Sequence, residues 1–305
     1  MTWSPGLFGV RRGVRKSFRG EATVRLCTPS IHGVNTLTHA EPLTRRPHRT
    51  RRTTVAALAL AALTALTSCT PDTVAPADER ARAHEEGGDG KPGARVKLAK
   101  GEVDCAVAKC IALTFDGGPG RDTPGLLDLL KREEVPATFF LLGKKHIEKH
   151  PETVRRIAEE GHEVANHTWN HPRLTEIEPD EIREELTRTQ KELARLTGSE
   201  PTLMRPPQGR TDDTVSGISR ELGLSQVLWS TTAKDYATDD SELITERTLD
   251  QAGRDGVILL HDIYKGTVPA VPGIIHALKK DGYTFVTVPQ LMAPAKPVPG
   301  TVYRP

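Results

Sequence analysis

The 305-residue sequence is sparing with cysteine, which occurs four times, and with methionine, which occurs three times. It has one markedly apolar run, residues 53–68, and sixteen residues fall short of the roughly 20 that a helix needs to cross a bilayer. An ordinary membrane span is therefore excluded there. Two of the cysteines precede residue 70, so Cys105 and Cys110 are the only thiols of the body, too few for a thiolate metal set. The body also lacks any excess of positive charge. The formal charge of +2 averages two unlike parts: residues 1–52 carry eleven Lys or Arg against two Glu, whereas residues 69–305 carry 31 basic and 38 acidic side chains, a net of −7. Nucleic-acid binding leaves its basic footprint on the folded part, so no nucleic-acid partner is expected. Methionine is absent between Met1 and Met204, and residues 1–40 are an unusual preface to the basic and apolar runs beyond them. A translation start downstream of Met1, at a Val or Leu codon, would account for both.

Those two runs stand in a telling order. Arg45, Arg46, Arg49, Arg51 and Arg52 precede the apolar residues 53–68, as the charged and apolar regions do in a signal peptide. The apolar run ends in Leu66-Thr67-Ser68-Cys69, which resembles a bacterial lipobox. That resemblance implies cleavage before Cys69, acylation of its thiol, and an exported protein held by a lipid anchor on the outer side of the cell membrane; cleavage by an ordinary signal peptidase and secretion is the alternative. Residues 1–68 thus read as leader and signal. Residues 69–103, rich in Pro, Gly, Ala, Glu and Arg, read as a disordered tether, and residues 293–305 as a similar Pro-rich tail in which Tyr303 is a candidate for local docking. Beyond the membrane, Cys105 and Cys110, separated by four residues, read as a small disulfide loop.

Between these ends the pattern alternates. Short apolar runs at residues 110–115, 137–142, 163–166, 203–205, 226–230, 257–260 and 283–288 have strand character. Amphipathic stretches at 151–160, 180–196, 213–222, 241–252 and 271–280 have helical spacing, as does the stretch to 134 that Thr123 caps and Pro124 opens. Seven strands alternating with helices predict a single α/β domain over residues 104–292, its parallel sheet open or closed into a barrel. In such sheets chemistry collects at the carboxyl ends of the strands.

That rule selects five segments. Thr114-Phe115-Asp116-Gly117-Gly118-Pro119 follows the first strand and His167-Thr168-Trp169-Asn170-His171 the third. Arg205-Pro206-Pro207-Gln208-Gly209 ends the fourth, Lys234-Asp235-Tyr236 lies beyond the fifth, and the sixth runs into Leu259-Leu260-His261-Asp262. Each alone has a plain structural reading as a turn, a cap or a core histidine. In this order they resemble the polysaccharide deacetylase family, the NodB-homology domain of carbohydrate esterase family four.

The resemblance implies a distorted (β/α) barrel of about seven parallel strands. It also implies a metal-dependent hydrolase, expected as a monomer, that removes N-acetyl groups from N-acetylglucosamine polymers such as peptidoglycan or chitooligosaccharide. Carried over residue by residue, it makes Asp116 the base, Arg205 its charge partner, His261 the general acid and Asp235 the carboxylate that orients that acid. His167 and His171 become ligands of a divalent cation, Zn²⁺ or else Co²⁺, because neutral imidazole suits both. The backbone N–H of Gln208 becomes the oxyanion donor, and Tyr236 and Leu259 the walls of the acetyl pocket. One position departs from the family. Its first motif usually reads Thr-Phe-Asp-Asp-Gly-Pro, with the second Asp a metal ligand, and here Gly117 stands in that place. Metal occupancy is thereby in question, with Asp116 or Asp122 as substitutes to be tested. A catalytically silent glycan-binding protein, or an acetylxylan esterase acting on O-acetyl groups, are the alternatives to the N-deacetylase.

Overall fold

The structure, a computed structural model, describes residues 72–87 and 103–305. The leader, the signal run and Cys69 lie outside the described residues. In chain order the elements begin with β1 (Thr73–Val74), α1 (Pro76–Gly87), β2 (Lys109–Asp116), α2 (Thr123–Arg132), β3 (Thr138–Leu141), α3 (Pro151–Glu159), β4 (Glu163–Asn166) and α4 (Pro179–Thr197). Next come β5 (Leu203–Met204), α5 (Asp213–Glu221), β6 (Ser225–Val227), β7 (Thr231–Thr232), α6 (Ser241–Leu249) and β8 (Gly256–Leu260). The chain closes with α7 (Thr267–Lys280), β9 (Tyr283–Val286), α8 (Val288–Met292) and β10 (Val302–Tyr303).

Every strand pairing is parallel, in the order β1-β10-β6-β5-β4-β3-β2-β8-β7, with β9 also on β2. The sheet curves into a half-barrel with helices packed against it, one α/β body. β2 is central, and its alternation sorts the two cores. Ile111, Leu113 and Phe115 join Leu126, Leu130, Phe139, Ile258 and Ile274 in the layer between sheet and helices. Cys110 and Ala112 face the other way, toward Phe140, Val257, Leu291 and Tyr303. Because side chains alternate along a strand, Thr114 and Asp116 fall on the same face as Cys110 and Ala112, and Leu259 on that of Val257. The register of one apolar strand therefore decides where Asp116 points.

Local chemistry sets the helix ends. α4 opens with Pro179 and a capping box between Glu178 and Glu181, and closes at Gly198 in the left-handed region (φ 78°), where glycine carries no Cβ penalty. Its buried Ile182, Leu186, Leu193 and Leu196 recur at helical spacing. At α2 the expected cap is displaced by one residue. Thr123 is the first helical residue, and its Oγ1 accepts the Gly120 N–H at 2.7 Å instead of capping the helix.

Two expectations about the ends of the chain are corrected. Part of the stretch read as a disordered tether, residues 72–87, is a strand and a helix. Thr73 and Val74 pair with Val302 and Tyr303, and Arg80 of α1 is buried, its guanidinium donating to the Leu291 carbonyl (2.7 Å) and to Asp255 Oδ2 (2.9 Å). The Pro-rich tail likewise supplies β10, where Tyr303 is fully buried and its hydroxyl accepts from the Val298 N–H at 3.0 Å. Neither piece has the apolar content to order itself; β1 is held by β10, and β10 by β1 and β6. Cys105 and Cys110 are joined in a disulfide. Closing so small a loop contributes about 2 kcal/mol by the chain-entropy relation.

Candidate active site

Asp116 ends β2 and Arg205 follows β5, and both are buried. Arg205 Nη1 donates to Asp116 Oδ1 at 2.6 Å and to Thr114 Oγ1 at 2.8 Å, while its Nε and Nη2 donate to the carbonyls of Val227 (2.8 Å) and Leu228 (3.3 Å). The guanidinium is stacked over Phe140, 4.0 Å from the ring centroid. Burial pushes the Arg205 guanidinium down from its usual value and the Asp116 charge works against that. A charge so enclosed has one counter-ion, so the pair holds together as a unit. Only Oδ1 of Asp116 is taken by Arg205; Oδ2 faces His167 Nε2 at 3.9 Å.

His167 is buried and its Nδ1 lies 2.8 Å from the Arg205 carbonyl, which accepts its proton. That bond fixes the tautomer and leaves the Nε2 lone pair free toward Asp116. Burial pushes the His167 pKa down to about 4 against the pull of Asp116, so the ring is neutral at pH 7. The His171 ring is 4.9 Å from that of His167, more exposed, and its pKa is also lowered by desolvation. The turn between them is strained, with Thr168 (φ 69°) and His171 (φ 64°) in the left-handed region. Its hydrogen bonds hold it there. Asn166 Oδ1 accepts from the Thr168 N–H, Thr168 Oγ1 from the His171 N–H, and Glu185 of α4 from the N–H groups of Trp169 (2.9 Å) and Asn170 (2.7 Å).

Across the site, His261 follows β8. Its Nδ1 lies 2.8 Å from Asp235 Oδ1, and Asp235 Oδ2 accepts both the His261 N–H (2.7 Å) and Thr267 Oγ1 (2.8 Å). Burial pulls the His261 pKa down, but the hydrogen bond and charge of Asp235 outweigh it, so the net shift is upward. His261 stands between Tyr236 and Tyr264, edge-on to both at 6.1 and 5.4 Å. Tyr236 is 57% exposed and Leu259 buried in β8. Gln208 is left-handed (φ 59°), and its side-chain oxygen accepts from Arg173 Nε at 3.0 Å.

Asp116, Arg205, His167, His171, His261 and Asp235 thus gather around the carboxyl ends of β2, β4, β5, β7 and β8. A carboxylate with one free oxygen faces a neutral imidazole whose tautomer is set, and opposite them stands an imidazole held by a carboxylate. Such a set can take up a proton on one side of a reacting atom and supply one on the other. The two histidines fit a divalent cation in tautomer and charge. Among the described residues, however, no group of three or more His, Cys, Asp or Glu is assembled for one. Gly117 (φ 79°) offers no ligand, and Asp122 is turned to the surface, paired with Arg121 at 3.0 Å.

Residues to which the motifs assign no role complete the site. Thr267 fixes Asp235, Glu185 fixes the histidine turn, and Asp262 is fully buried, accepting a hydrogen bond from Thr123 Oγ1. Burial raises the Asp262 carboxyl to about 6. His162 is buried outside this site, its Nδ1 accepting the Ala137 N–H at 3.1 Å.

The comparisons agree with this arrangement. The family model described as polysaccharide deacetylase matches residues 104–227. The chain is 41% identical over 184 residues to the peptidoglycan-N-acetylglucosamine deacetylase PgdA of Listeria monocytogenes, an alignment covering 60% of this chain and 39% of the relative. It spans, then, well under two thirds of that relative. A peptidoglycan-N-acetylglucosamine deacetylase of Bacillus cereus is 39% identical over 191 residues, covering 61% of this chain and 69% of the relative. Among solved structures, a T48 deacetylase with substrate superposes with a TM-score of 0.63 at 37% identity, over 66% of this chain and 99% of that one. With the five segments converging on one half-barrel face and the Bacillus cereus relative matched over 69% of its length at 39% identity, the chain belongs to the polysaccharide deacetylase family.

Proposed function

We propose that this protein is a metal-dependent hydrolase that removes N-acetyl groups from an N-acetylglucosamine-containing polysaccharide, peptidoglycan first. The observation that carries the reading is the facing of two pairs, Asp116 with Arg205 and His261 with Asp235, across the two free imidazole faces of His167 and His171. The named relatives act on peptidoglycan amino sugars, which supports the substrate class.

The chain's own residues divide the work. Asp116 Oδ2, left free by Arg205, accepts a proton from the attacking water as its oxygen bonds to the acetyl carbon. The Gln208 N–H stabilises the oxyanion that develops, with Tyr236 and Leu259 beside the methyl group. His261 then gives its Nε2 proton to the departing nitrogen as the C–N bond breaks, releasing acetate and the free amine. A divalent cation held by His167 and His171, Zn²⁺ or Co²⁺, would supply Lewis-acid activation of the water and the carbonyl.

Acetate release from purified peptidoglycan and from chitotetraose, with and without added metal, tests the reading. Release that rises with metal is expected, and none under any metal sinks it. Gly117 favours one second reading, a silent glycan-binding protein on the same fold. The two are separated by His261→Ala, which abolishes the cellular effect of an enzyme and spares that of a binder. An acetylxylan esterase would show as release from O-acetylated xylan above that from either amino-sugar polymer. Export with acylation of Cys69 also belongs to the proposal, and rests on the residues before Thr73.

The pH profile gives a further expected result. Because the His261 pKa is raised by Asp235, the acid stays protonated to a higher pH than a free imidazole. Asp235→Asn removes that support, so the alkaline limb of kcat/KM moves toward lower pH while the acid limb stays in place. An unmoved alkaline limb would assign the acid elsewhere.

A further inference from the structure

The charge of the body is −7, yet one cleft on the carboxyl-end face is cationic. It encloses about 540 Å³, adjoins the oxyanion loop at Gly209, and is lined by Arg210, Arg304, Thr73, Thr175 and Thr211, with no carboxylate in its wall. Gly209 is the neighbour of Gln208, one Cα step of about 3.8 Å from the proposed oxyanion donor. Arg173 stands beside it, tied to the Gln208 side chain at 3.0 Å. Among the described residues Glu176 is their one acidic partner, 3.3 Å from both Arg173 and Arg210. Two guanidiniums therefore share one carboxylate. The Arg304 side chain is exposed and makes no hydrogen bond or ion pair among the described residues.

We infer that this cleft binds a carboxylate carried by the sugar next to the one that loses its acetyl group. This rests on the proposed deacetylase reading and narrows its substrate to an acidic glycan. The fork of a guanidinium matches a planar carboxylate with two parallel N–H donors, and the threonine hydroxyls can complete the shell. In peptidoglycan the ring adjoining N-acetylglucosamine bears a lactyl carboxylate or the peptide joined to it, whereas chitooligosaccharide bears none. The cleft is built partly from β1 and β10, so the two ends of the chain contribute to substrate choice.

The test uses the full chain and the double variant Arg210→Gln/Arg304→Gln, both side chains being exposed and neither part of the proton-transfer set. The probes are a peptidoglycan glycan fragment, the same fragment with its carboxyl groups reduced to alcohols, and chitotetraose. In the natural chain the carboxylated fragment is expected to bind about tenfold more tightly than the reduced one, a 1.4 kcal/mol difference. The double variant is expected to lose that factor in Kd and KM, with kcat and the chitotetraose parameters unchanged. Equal Kd for both fragments in the natural chain, or an equal loss on chitotetraose in the variant, overturns the inference. Kd is read by calorimetry, so absence of acetate release defeats the deacetylase reading while the cleft is still decided by binding.

Discussion

Asp116→Asn lowers kcat for acetate release by about 10²–10⁴, the range lost when a positioned general base is removed, and lowers stability as well. The second effect comes from Arg205. Its guanidinium is fully buried with Asp116 as its counter-ion, and breaking a buried pair from one side costs about 3–5 kcal/mol because the remaining charge is left uncompensated. For a domain of this size that is a fall of about 10 °C in Tm. The two losses separate in the double variant Asp116→Asn/Arg205→Met, which removes both charges, keeps an unbranched stem against Phe140, and regains most of the Tm with none of the activity. Thermal melts and initial rates on the four proteins of that cycle give the result. A single variant that melts like the natural protein would mean that Arg205 is held by its carbonyl and Thr114 bonds alone.

Gly117→Asp tightens metal binding by about 100-fold or more, since even groups behind the ligands alter affinity by 10–100-fold and an aspartate here would be a ligand itself. There is room for it. A Cβ on Gly117 would meet only Ile263 Cδ1, at 3.4 Å. The obstacle is the backbone, whose φ of 79° costs an L residue about 1–2 kcal/mol, and aspartate is among the residues that tolerate it. The metal-free variant is therefore expected to melt slightly below the natural protein and the metal-loaded one above it. Metal content after dialysis distinguishes the cases: stoichiometric metal in the variant and little in the natural chain is expected, and equal retention would show that His167 and His171 suffice with their surroundings.

The strands that carry the site were legible because each is a short apolar run whose carboxyl end meets an unusual polar segment. β4 is placed at residues 163–166 by its sequence and in the structure alike, and β2 differs by one residue at either end. β1, β7 and β10, as short as β5 but without a helix-to-turn punctuation that marks them, offer too little alternation to read, and their pairing comes from distant partners. α7 starts at Thr267, four residues earlier than its periodicity suggests, because Pro269 lies in the first turn, where its missing N–H has no intrahelical partner to lose. That shift hides Thr267 as a partner of Asp235. Glu185 and Asp262 were equally hidden, the first as one more polar residue of an amphipathic helix and the second as the residue after a histidine. What the sequence could not display was the sharing of Asp116: one oxygen for Arg205, the other for the imidazole side.

Pairing between the two ends of the chain has a practical consequence for anyone trimming it. A fragment cut to residues 104–292 keeps the five segments and loses β1 and β10, leaving β6 with a row of unpaired backbone donors and acceptors along its flank. Such a flank recruits other chains, and the void left by Tyr303 lies directly beneath it. That fragment should self-associate at concentrations where the longer chain stays dispersed, and without Thr73 and Arg304 its choice between charged and neutral glycans should blunt even if its rate on a small acetylated amine survives.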